Sequence, residues 1–444
     1  MAERIIITGA GLAGCLLAVQ LGQAGYDVTL LERRKDPRAA GVIGGRSINL
    51  AISRRGLSAL ARAGLDRKIL ESAVRMPGRM IHTGQSSIFQ PYSRDPERAI
   101  NSVSRSGLNF DLLEAADDLP NVKILFERPC MNVDITGTAV ICRNEHGDEE
   151  RHSADLIVGA DGAYSAIRQA LQKNPGFNFS QEYLDHGYKE LHIPPVTDGP
   201  HAPFALEPHA LHIWPHGGSM MIALPNRDGS FTCTLFWPYQ GDHGFDHLKD
   251  AGADDVLAFF SRHYANAVPL MPTLAEDFMN NPTSPLVTIR CRPWVNNRVV
   301  LLGDAAHAIV PFYGQGANAA FEDCNELVDA LAASPDNIDA AMSAFQDARI
   351  DNANAIADLA IMNFLEMRDH TGNRIHRWKK KGSQILGGLI PFLWTPLYDM
   401  VSFTTIPYAE ALAKARRQTR MASIAIVYLL MGFFALLWWL VSRG

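Results

Sequence analysis

The sequence predicts an α/β protein: a Rossmann-like, three-layer dinucleotide-binding domain interrupted by a mostly β insertion and followed by a helical region ending in a hydrophobic helix. Three observations predict it. A strand, a glycine-rich turn, a helix and a second strand open the chain between Arg4 and Glu32. A matching strand with its own glycine turn returns at Val299, after a proline- and histidine-rich stretch of strand-like runs. From Met421 to Val441 the chain carries no charge. With 444 residues, 47% of them hydrophobic and 20% charged, the chain is long enough for two or three packed units and unlike a disordered, collagenous or coiled-coil protein.

Arg4-Ile-Ile-Ile-Thr8 is a β-branched strand, Gly9-Ala-Gly11-Leu-Ala13-Gly14 a turn, and the apolar stretch to Ala24 a helix. Asp27 to Leu31 is the next strand and ends at Glu32, 18 positions past Gly14, where a ribose-binding acid belongs. Gly9 allows the tight turn, Gly11 lets backbone amides approach a pyrophosphate, and Gly14 lets the helix close on the strand. An acid at this position favours an unphosphorylated ribose, so the pocket suits FAD or NAD better than NADP.

Beyond Arg46 a helix-like pattern runs to Leu70, followed by a Gly/Ser-containing connection and a helix near Leu108 to Leu119. Alternating apolar residues from Val122 to Arg143 read as an antiparallel meander, and Asp155 to Val158 as a strand. The insertion carries strands at 187–193, 210–215, 219–224 and 230–237, and the chain is almost wholly helical from Ala317 to Arg417. The expected units are residues 1–175 and 291–335 for the dinucleotide-binding domain, 176–290 for the β-rich substrate domain, 336–420 for the helical region, and 421–441 for a transmembrane helix.

As a helix, 421–441 would span roughly 31 Å at about 1.5 Å per residue, about one hydrocarbon core. Lys414, Arg416, Arg417 and Arg420 precede it and only Arg443 follows, which keeps the body on the cytosolic side. The expected location is a bacterial inner membrane or, in a eukaryote, the outer mitochondrial membrane. A buried or partner-binding helix is the alternative. Six dispersed cysteines without a C-x-x-C pair point to reduced thiols. The balance of 41 basic against 47 acidic residues, net −6, speaks against nucleic acid as a partner and for a small substrate.

Two further turns follow the logic of the first. Asp161-Gly-Ala-Tyr-Ser165-Ala-Ile-Arg168 sits at a strand's end and suits anion and ribose handling, or else is an ordinary Asp-Gly turn with a capping serine. Gly303-Asp304-Ala-Ala-His307, with Pro311 and Gly314-Gln-Gly316-Ala317-Asn318, delivers an aspartate to a cofactor edge. Its helix start has free amides able to stabilise negative charge on a flavin ring. No metal centre is expected. His212 and His216 lie in a strand-like run, His243 and His247 in a glycine-bearing loop, and no G-x-S-x-G marks a hydrolase.

These three ordered motifs resemble the class A flavoprotein aromatic hydroxylases, over roughly Ile5 to Leu331. Within that family, Gly45 to Ala51, Arg79 to His82, Pro91-Tyr92, Leu211 to Pro215, Met221 to Pro225, Phe231 to Phe236, Asn363 to Arg368 and Pro396 to Tyr398 resemble the members that act on L-kynurenine. The resemblance implies bound FAD, with NADPH and O₂ as co-substrates, and a flavin C4a-hydroperoxide that hydroxylates L-kynurenine at C3, in tryptophan breakdown toward pyridine nucleotides. It implies cofactor contacts at Gly9, Gly11, Ala13, Gly14, Glu32, Arg34, Ala51, Arg105, Cys130, Asp161, Asp304, Pro311, Gly316, Ala317 and Asn318. Arg79 and Tyr92 would hold the substrate carboxylate and Asn363 and Tyr398 complete the polar end, while Leu211, Ile222, Leu224, Phe236 and Met367 would wall the ring. Taken without the resemblance, Arg79 also reads as a surface ion-pair residue, Tyr92 as a half-buried tyrosine and the apolar five as sandwich core. With no second dinucleotide fold in view, NADPH would dock transiently on the FAD domain. A dimer, a flavin dehydrogenase or reductase of the same fold, a hydroxylase of another aromatic acid and a non-catalytic flavoprotein stay open.

Overall fold

The computed structural model describes residues 3–39, 49–84, 86–370 and 394–442, with only the backbone described at 366–370 and at 426, 429, 430, 434, 436, 437, 440 and 441. Ile5, Ile6 and Ile7 are buried in β1 (Arg4–Thr8), which passes through the glycine turn into α1 (Leu12–Gln23) and returns as β2 (Asp27–Leu31). There follow β3 (Asn49–Ile52), α2 (Arg54–Arg62), α3 (Asp66–Ser72), β4 (Val74–Met76), β5 (Gly78–Thr83), β6 (Ser86–Pro91), β7 (Ile100–Ser104), α4 (Arg105–Asp117) and β8 (Val122–Leu125). Next come β9 (Cys130–Asp134), β10 (Ala139–Arg143), β11 (Glu149–Ser153), β12 (Leu156–Gly159) and α5 (Ala166–Leu171). The insertion contributes β13 (Asn178–Ile193), β14 (Ala210–His216), β15 (Ser219–Pro225), β16 (Phe231–Pro238), α6 (Ala253–His263), α7 (Leu274–Asn280) and β17 (Ser284–Arg292). The chain then runs through β18 (Val295–Asn296), β19 (Val299–Leu301), α8 (Asp304–His307), α9 (Gly316–Ala333), α10 (Ile338–His370), α11 (Leu397–Phe403) and α12 (Tyr408–Val441).

Two sheets position the site. The first has the order β18-β19-β12-β1-β2-β8, parallel throughout except at β18, so the returning strand Val299–Leu301 lies beside β12 and the three motif turns share one edge. Strands buried on both faces read as continuous apolar runs, which is why Ile5–Ile7, Leu156–Val158 and Val299–Leu301 carry no alternation. The second sheet has seven strands in the order β17-β13-β16-β15-β14-β5-β6. Here the period of two is plain. Ile213, Met220, Ile222, Leu224, Thr234 and Phe236 face a cavity, while Trp214, Met221, Ala223, Cys233, Leu235 and Trp237 face a second core with Phe260 of α6, Tyr264 just after it and Phe278 of α7. All six cysteines are free.

Three expectations change. The Gly/Ser-containing connection after Leu70 holds the hairpin β5–β6, which joins the second sheet through β5, parallel to β14 with Arg79 opposite Leu211. β6 is an edge strand with most residues exposed, so its sequence lacks a buried alternation. Val122–Leu125 is the parallel edge strand of the first sheet, and only β9, β10 and β11 form the antiparallel meander. Finally, the uncharged run 421–441 lies in α12, but among the described residues no helix is long and apolar enough to cross a membrane. Eight side chains of that run lie outside the described residues.

Candidate active site

Backbone proximity shapes the first end of the site. Gly9 has φ +97°, and a Cβ there would meet Ala160 O at 2.6 Å; a Cβ on Gly14 would meet Gly9 O at 1.9 Å. Both positions therefore exclude side chains, and the first turn of α1 closes on β1. Gly11 instead has open space beside its backbone and faces the cavity. Glu32 stabilises this turn, its Oε2 accepting from Ala10 N at 2.8 Å and its Oε1 from Arg34 N at 2.9 Å. Arg34 is exposed and off the cavity wall.

Asp161 Oδ2 accepts from Ala166 N at 2.7 Å at the start of α5, whereas its Oδ1 is buried without a partner. Burial pushes the carboxyl above its ordinary value, partly offset by Ser165 and the helix amides. Cys130 is nearby; burial, then the Asp161 charge, pushes its thiol up to about 12. Ser165 and Arg168 have structural partners. Ser165 Oγ accepts from Arg168 N at 2.9 Å as a helix cap. The buried Arg168 donates from Nη1 to Ala305 O at 2.7 Å and from Nη2 to Ala163 O at 2.5 Å, tying the second turn to the third.

At the third turn Asp304 stands exposed on the cavity, and α9 begins after Gly314, whose φ is +66°. The N–H groups of Gly316, Ala317 and Asn318 precede the first intrahelical bond, so they carry the helix's positive end toward the cavity, where Gly316 and Ala317 lie on the wall. The Asn318 side chain is fully buried and spoken for. Its Nδ2 donates to Ala51 O and Gly314 O, each at 2.8 Å, and its Oδ1 accepts from Ser53 N at 2.9 Å.

Behind α9 lies an ionic frame that the sequence did not announce. Asp323 accepts from Gly303 N at 3.0 Å, from Arg349 Nε at 2.6 Å and from His307 Nε2 at 2.5 Å. Burial drives the Asp323 carboxyl up, but His307 and Arg349 outweigh it and hold the group below the usual range. These residues lie far apart in sequence, so no local motif signals them.

Between the two sheets is a cavity of about 400 Å³. It joins Gly11, Ala13, Ala51, Arg105, Asp304, Pro311, Gly316 and Ala317 to Arg79, Tyr92, Leu211, Ile222, Leu224, Phe236, Asn363 and Tyr398. Gly9, Gly14, Glu32, Arg34, Cys130, Asp161 and Asn318 lie off its wall, and the Met367 side chain falls outside the described residues. Arg79 Nε donates to Gln90 Oε1 at 3.0 Å. Tyr92 and Tyr398 stack at 5.2 Å between centroids, and Tyr313 stacks on Tyr398 at 5.7 Å. Burial pushes Tyr92 up to about 12 and Tyr398 well above the ordinary phenol value, with Arg79 pulling both back in part, so both stay neutral donors at working pH. Asn363 Nδ2 donates to Phe312 O at 2.6 Å. Sequence reasoning missed Gln90, Ile213, Met220 and Thr234, although the last three share the period of the wall residues it did find.

The open space beside Gly11 on the cavity, the unpartnered Asp161 Oδ1 and the helix-start amides together fit a dinucleotide that carries a flavin. A family model described as an FAD binding domain matches residues 3–358. Kynurenine 3-monooxygenase of Myxococcus xanthus is 44% identical over 412 residues, 92% of this chain and 88% of its own. That of Dictyostelium discoideum is 43% identical over 421 residues, 92% and 89% of the two chains. The chain belongs to the kynurenine 3-monooxygenase family. Membership makes it an FAD-dependent monooxygenase. Among solved structures, a tetrameric 2-methyl-3-hydroxypyridine-5-carboxylic acid oxygenase superposes with a TM-score of 0.69 at 20% identity, covering 83% of this chain and 94% of its own. A variant of Klebsiella pneumoniae HpxO complexed with FAD gives 0.66 at 20%, covering 88% and 98%. At that identity the likeness speaks for the fold.

Proposed function

We propose that the protein converts L-kynurenine, NADPH, O₂ and a proton into 3-hydroxykynurenine, NADP⁺ and water. The observation that carries this reading is the polarity of the cavity. Arg79 stands with two neutral phenols, Tyr92 and Tyr398, at one end of a largely apolar chamber whose other charged lining residues are Arg105 and Asp304, and which opens onto the start of α9. Arg79 forks onto the substrate carboxylate through the nitrogens that Gln90 leaves free, and the phenols donate to the same group. Leu211, Ile222, Leu224 and Phe236 flank the aromatic ring and exclude water. Asn363 completes the polar end.

Bound FAD, once reduced by NADPH, supplies the activation of O₂. Gly11 would admit its pyrophosphate in a turn that Gly9 and Gly14 allow to close, Glu32 would take a ribose hydroxyl, Arg105 and Asp304 would border the cofactor, and the amides of Ala317 and Asn318 would stabilise negative charge on the flavin's pyrimidine edge. The ring amine of the substrate enriches the neighbouring carbon, so the protein's task is to orient that carbon and keep the chamber dry. Aerobic incubation of the yellow holoprotein with NADPH and a panel of aromatic acids tests the reading. It expects one added oxygen, by mass, on L-kynurenine alone; NADPH consumption unaffected by any aromatic amino acid would defeat it.

A membrane-held body facing the cytosol is part of the same proposal. It is supported by the uncharged run 421–441, the basic residues before it, and the exposure of Ile424, Val427, Met431 and Trp438. The full chain should sediment with membranes and a chain ending at Arg420 should not; sedimentation of both alike would remove the anchor.

A further inference from the structure

Three histidines from separate elements converge on the outer side of the second sheet, away from the cavity. His216 ends β14 on the face that carries His212 and Trp214, His243 lies in the loop after β16, and His263 is the last residue of α6. A ligand nitrogen from each lies within 4.8 Å of the other two. Their ring centroids are 4.5 Å apart for His216 and His263, 4.7 Å for His243 and His263, and 5.2 Å for His216 and His243. Nδ1 of His243 is buried and has no hydrogen-bond partner. A buried donor or acceptor left unmade costs about 1–3 kcal/mol, so a retained one calls for an occupant.

We propose that His216, His243 and His263 form a zinc-binding site. Zinc takes neutral imidazole at about 2.0–2.1 Å, and tetrahedral geometry sets ligand nitrogens roughly 3.4 Å apart, within reach of small side-chain rotations from the observed spread. Three imidazoles with one open position suit this borderline-soft ion better than calcium or magnesium, which take oxygen ligands. The rings are half-buried, which leaves an entry path, and Phe259 and Tyr264 back them at 4.4 Å from His263 and 5.8 Å from His216. A bound ion ties the β14–β15 turn and the loop after β16 to α6. The opposite face of those strands carries Ile213, Ile222 and Phe236 of the cavity wall, so the ion braces the substrate side from behind.

Equilibrium dialysis of the full-length, FAD-loaded protein against zinc tests this. One ion per chain is expected. His216→Ala and His263→Ala should each weaken binding at least about a hundredfold, while His247→Ala, an exposed neighbour, should not. Flavin absorbance and far-ultraviolet circular dichroism check that the variants fold. X-ray absorption at the zinc edge of the wild-type protein needs no variant, and should report three imidazole nitrogens. Absence of binding, binding unchanged in the His216→Ala/His263→Ala double variant, or a shell of oxygens only would overturn the site.

Discussion

Replacing Arg79 by alanine tests the substrate end of the cavity most directly. Arg79 is half-buried beside two buried phenols, and its Nε is committed to Gln90, which leaves its terminal nitrogens for a carboxylate. Hydrogen bonds to charged groups contribute about 1.5–3 kcal/mol each. Two such bonds, discounted for partial solvent access to the guanidinium, put the loss near 3 kcal/mol, or roughly a hundredfold in kcat/KM. Because the substrate carboxylate keeps its charge through the reaction, most of the loss should fall on KM. Arg79→Lys keeps the charge but not the fork and should lose roughly tenfold. Steady-state NADPH oxidation across kynurenine concentrations measures both, and flavin content should stay unchanged because Arg79 belongs to β5 of the second sheet and not to the glycine turn of the first. Wild-type kinetics in Arg79→Ala, or loss of flavin without a rise in KM, would refute the assignment.

Gly14→Ala places a Cβ 1.9 Å from Gly9 O and should cost more than about 3 kcal/mol and yield colourless protein; a yellow variant with an unchanged melting curve would contradict the close approach. Asp323→Asn leaves His307 and Arg349 facing a neutral amide in a buried site and should lower urea stability by about 3–5 kcal/mol, whereas a loss below about 1 kcal/mol would make the frame incidental. His82 and His212 are both held at about 4, mainly by burial, with His82 Nε2 donating to His212 Nδ1 and His212 Nε2 to Glu207 O. Well above pH 6.5 both are neutral folded or unfolded; as pH falls through 6.5 toward 4 the unfolded chain takes up protons that the folded chain does not, so stability is lost across that window. Equal urea midpoints at pH 7 and pH 5, or an undiminished slope in His82→Phe, would count against it.

The dinucleotide end was readable because its constraints are local. Gly9, Gly14 and Glu32 lie within one βαβ unit, and the close approach at Gly14 permits one residue type. The cavity wall was partly readable, since Leu211, Ile222, Leu224 and Phe236 follow a period of two, but that period alone does not say which face is lined by a second core. What stayed hidden depends on tertiary placement. β5 brings Arg79 into the second sheet beside Leu211, although its hairpin partner is an exposed edge strand with no telling pattern. Arg168 reads as an anion ligand in its motif and turns out to bind two carbonyls, a distinction that needs the position of Ala305. His216, His243 and His263 share no spacing at all.

The C-terminal helices take part in the support of the site. Tyr398 of α11 forms part of the cavity wall between Tyr92 and Tyr313. Tyr408, in the first turn of α12, donates to Gln315 Oε1 at 3.0 Å, and Gln315 immediately precedes the amides of α9. The Arg55 guanidinium lies 3.9 Å over the Tyr408 ring and pairs with Glu322 of α9, which also pairs with Arg349 of the Asp323 frame. The start of α12 is therefore built into the support of the flavin-side helix, whereas Ile424, Val427 and Tyr428 further along it are exposed. One helix thus passes from packed to exposed positions, and the change falls near Arg420. A cut before Tyr408 would remove a buried partner of Arg55 and Gln315, while a cut at Arg420 leaves the frame intact, so only the first should cost stability.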